Sequence, residues 1–232
     1  MKKPLIVVLT GAGISKESGI PTFRDAGGLW HNYRIEDVAT AEAWENNPAA
    51  VLDFYNMRRR QLRQVQPNAA HKALAELEKD FPVQIITQNV DDLHERAGSR
   101  NVLHLHGELC KARSQRNPNL IYPWCDDLHL GDKAEDGAQL RPHIVLFGEA
   151  VPLLPEAAQW ARRADIFLIV GTSLQVYPAA GLVHETRPEV PVYYIDPAAQ
   201  AVPVPNPLHL VREPATRGVA RVIQKIRDDF AG

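Results

Sequence analysis

The chain has 232 residues, 45% hydrophobic and 23% charged, with a formal net charge of −2. That length accommodates one large domain, or one domain with a small insert, and the near-neutral balance gives no basic field to hold nucleic acid. Two cysteines exclude a disulfide framework and no apolar run approaches membrane-spanning length, so the sequence reads as a soluble cytoplasmic protein that binds neither nucleic acid nor membrane.

In chain order, the first element is the strand-like run "LIVVLT" (5–10), too short for a signal-peptide core and followed by no cleavage pattern. It runs into "GAGISKESGIPTFRD", Gly11 to Asp25. Glycines there would let the backbone approach a pyrophosphate, and a following helix N-terminus would offer unpaired N–H groups. A plain turn is the competing reading. No third glycine stands three residues after Gly13, where the chain has Lys16, so the usual dinucleotide fingerprint is missing and a hydride-transfer dehydrogenase is disfavoured.

Residues 26–66 look helical and carry no strand signal. "NAAHKALAELEKD" (68–80) is an amphipathic helix pattern, followed by the strand-like "VQIITQN" (83–89) and a helix start in "NVDDLHERA", where Asn89 and Asp91 could serve as caps. Residues 110–141 are polar, with few apolar anchors. "HIVLFGE" (143–149), "IFLIVGT" (166–172) and "VPVYYID" (190–196) read as further buried strands, and "RGVARVIQKIRDDF" (217–230) as a C-terminal helix. Runs apolar on both faces, alternating with helices, predict an α/β fold with a Rossmann-like doubly wound parallel sheet. The expected division is a large domain of 1–25, 81–109 and 142–232. Insertions 26–80 and 110–141 would form a smaller domain, one part helical and the other a degenerate zinc-type module.

Ligands of open parallel sheets bind beyond the carboxyl ends of the strands. There the chain places Gly11-Ala12-Gly13, Thr87-Gln88-Asn89 with Asp91, and Gly171-Thr172-Ser173. The segments "GAGISKESGIPTFRD", "TQNVDDLHERAG", "HLHGEL", "RPHIVLFGE" and "VGTSLQVYPAAGLV", in this order and at these distances, resemble the sirtuins, NAD-dependent protein deacylases. The match covers nearly the whole catalytic core of that family.

The resemblance implies cleavage of the nicotinamide–ribose bond of NAD and transfer of an acyl group from a protein lysine, releasing nicotinamide and O-acyl-ADP-ribose. By it, Gly11, Ala12 and Gly13 match the phosphate cradle. Ser15, Gly171, Thr172, Ser173, Asp196 and Ala215 join the cofactor-binding set. Phe23 and Arg24 fall in the loop that closes over the cofactor, where Phe23 could shield the reacting carbon from water; a core aromatic is the competing reading. Gln88, Asn89 and Asp91 match contacts to ribose and nicotinamide, with Asn89 also in the catalytic set. His106 is picked out as general base, a role suited to a histidine titrating near neutrality; spacing alone does not separate it from His104. The remaining histidines, among them His31, His71, His94, His129 and His143, are expected to be structural or on the surface. Tyr194 stands where many sirtuins place an asparagine against the adenosine ribose, leaving Asp196 or backbone groups to substitute.

In the subgroup that removes succinyl, malonyl and glutaryl groups, a Tyr-x-x-Arg pair lines the acyl pocket. Tyr55 and Arg58 in "FYNMRRRQL" fit it, three apart on one helix face, and Ala26 would leave room for a longer acyl chain. Arg59 and Arg60 are expected on a solvated face. Acylated protein substrates are the implied partners, the peptide adding as a strand between Phe147-Gly148-Glu149 and the loop after Gly171. Sirtuins usually hold zinc with two cysteine pairs; with Cys110 and Cys125 alone, and Ser114 near the first ligand position, no conventional zinc site is expected. Two other readings stay open: an NAD-consuming ADP-ribosyltransferase or hydrolase, and a non-catalytic NAD or ADP-ribose sensor.

Overall fold

The computed structural model of the protein describes residues 3–22, 29–30 and 33–230. β1 (Ile6–Thr10) leads into the single helical turn α1 (Gly13–Lys16), and a small hairpin, β2 (Leu29–Trp30) with β3 (Tyr33–Arg34), precedes α2 (Ile35–Val38). Next come α3 (Ala41–Asn46), α4 (Pro48–Leu62), α5 (Ala69–Leu77), β4 (Val83–Thr87), α6 (Leu93–Ala97) and β5 (Val102–His104). β6 (Gly107–Ser114), β7 (Ile121–Pro123) and β8 (Leu140–Ile144) follow, then α7 (Leu154–Arg163) and β9 (Ile166–Val170). A 3₁₀ helix (Ala179–Glu185), β10 (Val192–Ile195), β11 (Leu208–Val211) and α8 (Ala215–Phe230) complete the chain.

Six strands form one parallel sheet in the order β11-β10-β9-β1-β4-β5. The chain adds β4 to one side of β1 and later β9 to the other, so the strand order reverses between β1 and β9. That is the switch point at which open α/β sheets bind ligands. The alternation within β1 shows why its sequence has no polar face: Ile6 and Val8 enter one core with α5 and α8, while Val7 and Leu9 enter the other with α7 and the 3₁₀ helix. β9 divides likewise, with Ile166, Leu168 and Val170 on one side and Phe167 and Ile169 on the other. α5 falls within the 26–80 span, yet its Ala70, Leu74 and Leu77 pack on the large sheet beside α8.

A second body is built from α2, α3, α4 and the antiparallel sheet β7-β6-β8, around a separate core that includes Val51, Phe54, Leu62, Leu109 and Leu140. Three sequence expectations change here. "HIVLFGE" is not a strand of the parallel sheet. β8 ends at Ile144 and pairs antiparallel with β6, and the chain beyond it adds a bond from the Val145 N–H to the His106 carbonyl and an isolated bridge from Phe147 to Thr40. The place in the large sheet goes to the short β5 and to β11, whose Leu208–Val211 run is half exposed and carries a weak apolar signal. Residues 26–66 contain the β2–β3 hairpin as well as helices.

Third, Arg59 is not solvated. It is fully buried, with Nε donating to the Leu109 carbonyl at 2.8 Å and Nη1 to Asn56 Oδ1 at 2.9 Å. Arg60 does lie outside, paired with Asp127. Asn56 in turn clamps the backbone of Leu128 from both sides, donating to its carbonyl at 2.9 Å and accepting from its N–H at 2.8 Å. α4 is thereby fastened to the segment after β7. Asn56→Ala would leave buried partners on Leu128 and Arg59 unmatched, and should cost about 3 kcal/mol. Denaturant unfolding checks this; an unchanged midpoint would show that the clamp contributes nothing.

Candidate functional site

The loop after β1 and the loop after β9 touch. The Gly13 N–H donates to the Gly171 carbonyl at 2.7 Å, and Gly11 N–H to the Val170 carbonyl at 3.0 Å. A Cβ on Gly171 would lie 2.2 Å from the Ile14 nitrogen, and one on Gly13 2.7 Å from the Gly171 Cα. Gly171 also has φ of +61°, the left-handed region that favours glycine. The glycines therefore serve first to let two loops close on each other. The amide of Gly13 is spent on that contact, and α1 is a single turn, so the expected row of free helix N–H groups is reduced.

A cavity of about 810 Å³ opens beyond this contact. Gly11, Ala12, Gly13, Gln88, Asn89, Asp91, His106, Gly171, Thr172, Ser173, Asp196 and Ala215 line it, and so do Tyr55, Arg58, Phe147, Gly148 and Glu149. Ser15 lies buried just beneath, off the wall. Phe23, Arg24 and Ala26 fall outside the described residues.

The floor is a buried polar layer. Asn89 Nδ2 donates to the Gly11 carbonyl and to Ser15 Oγ, both at 3.2 Å, and Ser15 Oγ donates to Asp91 Oδ2 at 3.0 Å. Asp91 also accepts from the N–H of Leu93, the first residue of α6, at 3.2 Å. Burial holds its carboxyl above the usual range, against the opposing pull of the Leu93 and Ser15 bonds. His71, drawn down to about 4 by burial, stands 3.5 Å from Ser15 and accepts the Asn68 N–H on its other nitrogen. Gln88 Nε2 donates to Thr172 Oγ1 at 3.1 Å, linking the ends of β4 and β9.

The two histidines that spacing left undivided differ in state. His104 is buried, with Nδ1 against the Asn89 carbonyl at 3.2 Å and Nε2 against Glu95 Oε1 at 2.7 Å. Both partners are acceptors, so both ring nitrogens carry protons. Burial is the largest single influence and opposes that charge, but the hydrogen bond and charge of Glu95, with Glu108 and the Asn89 carbonyl, together outweigh it and the pKa is raised. His106 sits past the end of β5 and lines the cavity. Its Nδ1 faces the Gln88 carbonyl at 3.1 Å and must donate, which leaves the Nε2 lone pair free of its proton. Burial lowers its pKa despite the Gln88 bond. Only His106 can accept a proton.

Tyr55 and Arg58 reach the same cavity from α4. Burial pushes the Tyr55 phenol up to about 12 and draws the Arg58 guanidinium down to about 10. At neutral pH the pair is one hydroxyl donor beside one cation. Of Phe147, Gly148 and Glu149, Glu149 is committed elsewhere: its carboxylate accepts from Arg141 at 2.6 Å, from Arg113 at 3.3 Å and from the Leu146 N–H at 2.8 Å. The Phe147 N–H and carbonyl pair with Ala39 and Ala41. Tyr194 is buried, its hydroxyl donating to the Thr172 carbonyl at 2.9 Å, so it braces the loop after β9 from behind rather than lining the cavity.

The sequence reading did not pick out Glu95, Arg113 or Arg141. No local pattern marks them, because their partners lie in other elements.

Among the described residues no cluster of three or more His, Cys, Asp or Glu is placed to hold a metal. The residues present do not fit a four-cysteine zinc site. Ser114 instead donates to Asp136 Oδ2 at 2.7 Å and accepts from the Arg116 and Asn117 N–H groups, closing the turn between β6 and β7 with hydrogen bonds. No helix among the described residues is long and apolar enough to cross a membrane.

A glycine-lined crevice at the switch point of a parallel sheet, with a proton acceptor just past the end of β5 and a Tyr–Arg pair reaching in from the small second body, defines a nucleotide-using α/β enzyme with two substrates in one cleft. The chain belongs to the Sir2 family, whose profile matches residues 11–178. It is 57% identical over 221 residues to an NAD-dependent protein deacylase of Helicobacter pylori, covering 95% of this chain and 94% of that one. An NAD-dependent protein deacylase of Bacteroides thetaiotaomicron is 54% identical, with 94% and 96% covered. Among solved structures, a Sir2 homologue in complex with NAD superposes with a TM-score of 0.85 at 37% identity, covering 98% and 91% of the two chains. A Sir2 protein with a deacetylated p53 peptide and 3′-O-acetyl ADP-ribose gives 0.80 at 32%, covering 96% and 94%.

NAD is the cofactor, and the cavity fits it. The volume suits a dinucleotide, and amide, hydroxyl and small residues face it from three strand ends. Gly171→Ala should therefore fail on two counts: at least about 2 kcal/mol lost in thermal unfolding, and weakened NAD binding by calorimetry. Wild-type affinity in a stably folded variant would mean the loop contact does not shape the site.

Proposed function

We propose that the cleft removes carboxylate-bearing acyl groups such as succinyl and malonyl, as well as acetyl, from protein lysines. The observation that carries this is the Tyr55–Arg58 pair entering the cavity that also holds His106 and Asn89. The family's NAD-dependent protein deacylase activity supplies the reaction; the pair supplies the choice of acyl group.

NAD, when bound, supplies the ribose carbon that receives the acyl oxygen and the nicotinamide that departs. The residues of this chain act around it. Gly11, Gly13, Gly171, Thr172 and Ser173, which line the cavity, would hold the phosphates and ribose. Asn89, its Nδ2 held by Gly11 and Ser15, would present its Oδ1 as an acceptor to the ribose or the carboxamide. His106 Nε2 accepts a ribose hydroxyl proton, while the Gln88 carbonyl holds the ring in that tautomer. Tyr55 donates a hydrogen bond and Arg58 a charge-assisted one to the terminal carboxylate of the acyl chain. Gly148 and the loop after Gly171 border the peptide, which adds as an extended strand with weak sequence preference.

The state of His106 sets a pH dependence. The neutral ring is the active form, and burial lowers its pKa, so activity is full above the folded-state pKa and lost as pH falls through it. The acid limb of kcat/KM should lie below 6.5, the ordinary histidine value. A limb at or above 6.5 would contradict this assignment. His106→Ala should reduce deacylation at least about a hundredfold while NAD still binds.

Turnover of matched succinyl-lysine and acetyl-lysine peptides by mass spectrometry tests the acyl preference. Arg58→Met should lower succinyl kcat/KM by about tenfold to a hundredfold and leave acetyl nearly unchanged. Equal losses would make Arg58 a structural residue. Nicotinamide release that does not need acyl peptide would instead favour an NAD hydrolase.

A further inference from the structure

Outside the cleft, two cysteines and a buried arginine converge at one edge of the small sheet. Cys110 lies in β6 and Cys125 two residues past the end of β7. The register sets Lys111 opposite Pro123, and the Trp124 N–H donates to the Cys110 carbonyl at 2.8 Å. Cys125 Sγ stands 4.0 Å from that same carbonyl. Cys125 is exposed and Cys110 half-buried, and neither lines the cavity. Cys110 thus faces Trp124 and Cys125 is its diagonal neighbour, but the turn of the chain past β7 brings the two thiols within hydrogen-bonding reach of each other, close enough for a disulfide to form.

Beneath them is Arg59. Its Nε is tied to the carbonyl of Leu109, the residue before Cys110, and its Nη2 is buried with no hydrogen-bond partner. Among the groups that favour its charge, Cys110 comes first, and Asp127 and Cys125 follow. A buried cation with an unused donor beside two thiols lowers the cost of forming a thiolate there. Asp127 and Asp92 also face this corner, Asp127 engaged by Arg60 and Asp92 by Arg96.

We propose that Cys110 and Cys125 form a redox-modification site, which a low-molecular-weight disulfide of the glutathione class converts into an intramolecular bridge. Cys125, exposed, loses its proton to solvent and attacks one sulfur of the reagent, forming a mixed disulfide and expelling one thiolate. Cys110 then loses its proton, attacks the Cys125 sulfur and expels the second thiolate. Two protein thiols are oxidised by two electrons, and the reagent disulfide is reduced to two thiols. The order follows from the environment: burial, then the adjoining Cys125 thiol, push the Cys110 thiol up to about 12, so Cys110 resolves rather than initiates. The bridge would join β6 to the segment that Asn56 clamps against α4, the helix that carries Tyr55 and Arg58.

The test is incubation of the full chain with oxidised glutathione, followed by intact mass and peptide mapping without reduction. The expected result is loss of two hydrogens, a linked pair of peptides containing Cys110 and Cys125, and reversal by dithiothreitol. Closing this loop should raise Tm by several degrees. Cys110→Ser should stop at a stable glutathione adduct on Cys125, with no rise in Tm. Arg59→Met should slow bridge formation by about tenfold, and Arg59→Lys should keep most of the rate. A persistent glutathione adduct on the unsubstituted chain, or no loss of thiols at all, would overturn the proposal. Should Arg59→Met not fold, mapping of the unsubstituted chain still decides it.

Discussion

The contact between Gly13 and Gly171 is the constraint on which the rest of the molecule depends. Two loops that leave neighbouring parallel strands meet backbone to backbone, with no room for a Cβ on either side. Their approach shapes the crevice at the switch point of the sheet. It also sets Thr172 within reach of Gln88, and Tyr194 donates to the Thr172 carbonyl from behind. The phosphate-facing surface of the protein is thus a consequence of strand order and of missing side chains, more than of any residue that reaches toward a ligand.

Beneath the crevice, proton positions are settled by hydrogen-bond partners. His104 and His106 are two residues apart and have opposite states, because one faces a carboxylate and a carbonyl while the other faces a single carbonyl. His104 holds the Asn89 backbone from behind the cavity wall. His106 keeps a lone pair on the wall. Asn89, Ser15 and Asp91 are each satisfied by one another, which a buried polar layer requires if it is to be rigid.

The small body is held by a different kind of bond. Where a zinc would draw four thiolates together, this chain uses the Ser114–Asp136 turn, the Asn56–Leu128 clamp, and Glu149 between Arg113 and Arg141. Buried ion pairs of this type repay little net stability, because desolvation offsets the attraction. Their geometry nonetheless fixes register, and here they seat Leu146 and the turn at Gly148 beside the cavity. Among the described residues, the corner at Cys110, Cys125 and Arg59 leaves a buried donor, Arg59 Nη2, over beside two free thiols.

Much of this was legible in the sequence. The strands at 5–10, 83–89, 166–172 and 190–196 were readable because a parallel strand covered on both faces must be apolar at every position. The helices of 68–80 and 217–230 were readable from their period. The cluster of small and amide residues after those strands located the crevice. What local pattern could not carry was decided by partners distant in the chain. "HIVLFGE" is as apolar as any buried strand, yet β6 claims its first half and the large sheet none of it. Arg59 and Arg60 are adjacent in sequence; the turn of α4 buries one against Leu109 and leaves the other beside Asp127. His104 and His106 are alike by residue type and differ only in what faces each nitrogen. Periodicity reports which side of an element is covered. It cannot report which carbonyl, carboxylate or thiol does the covering, and that choice decided the chemistry.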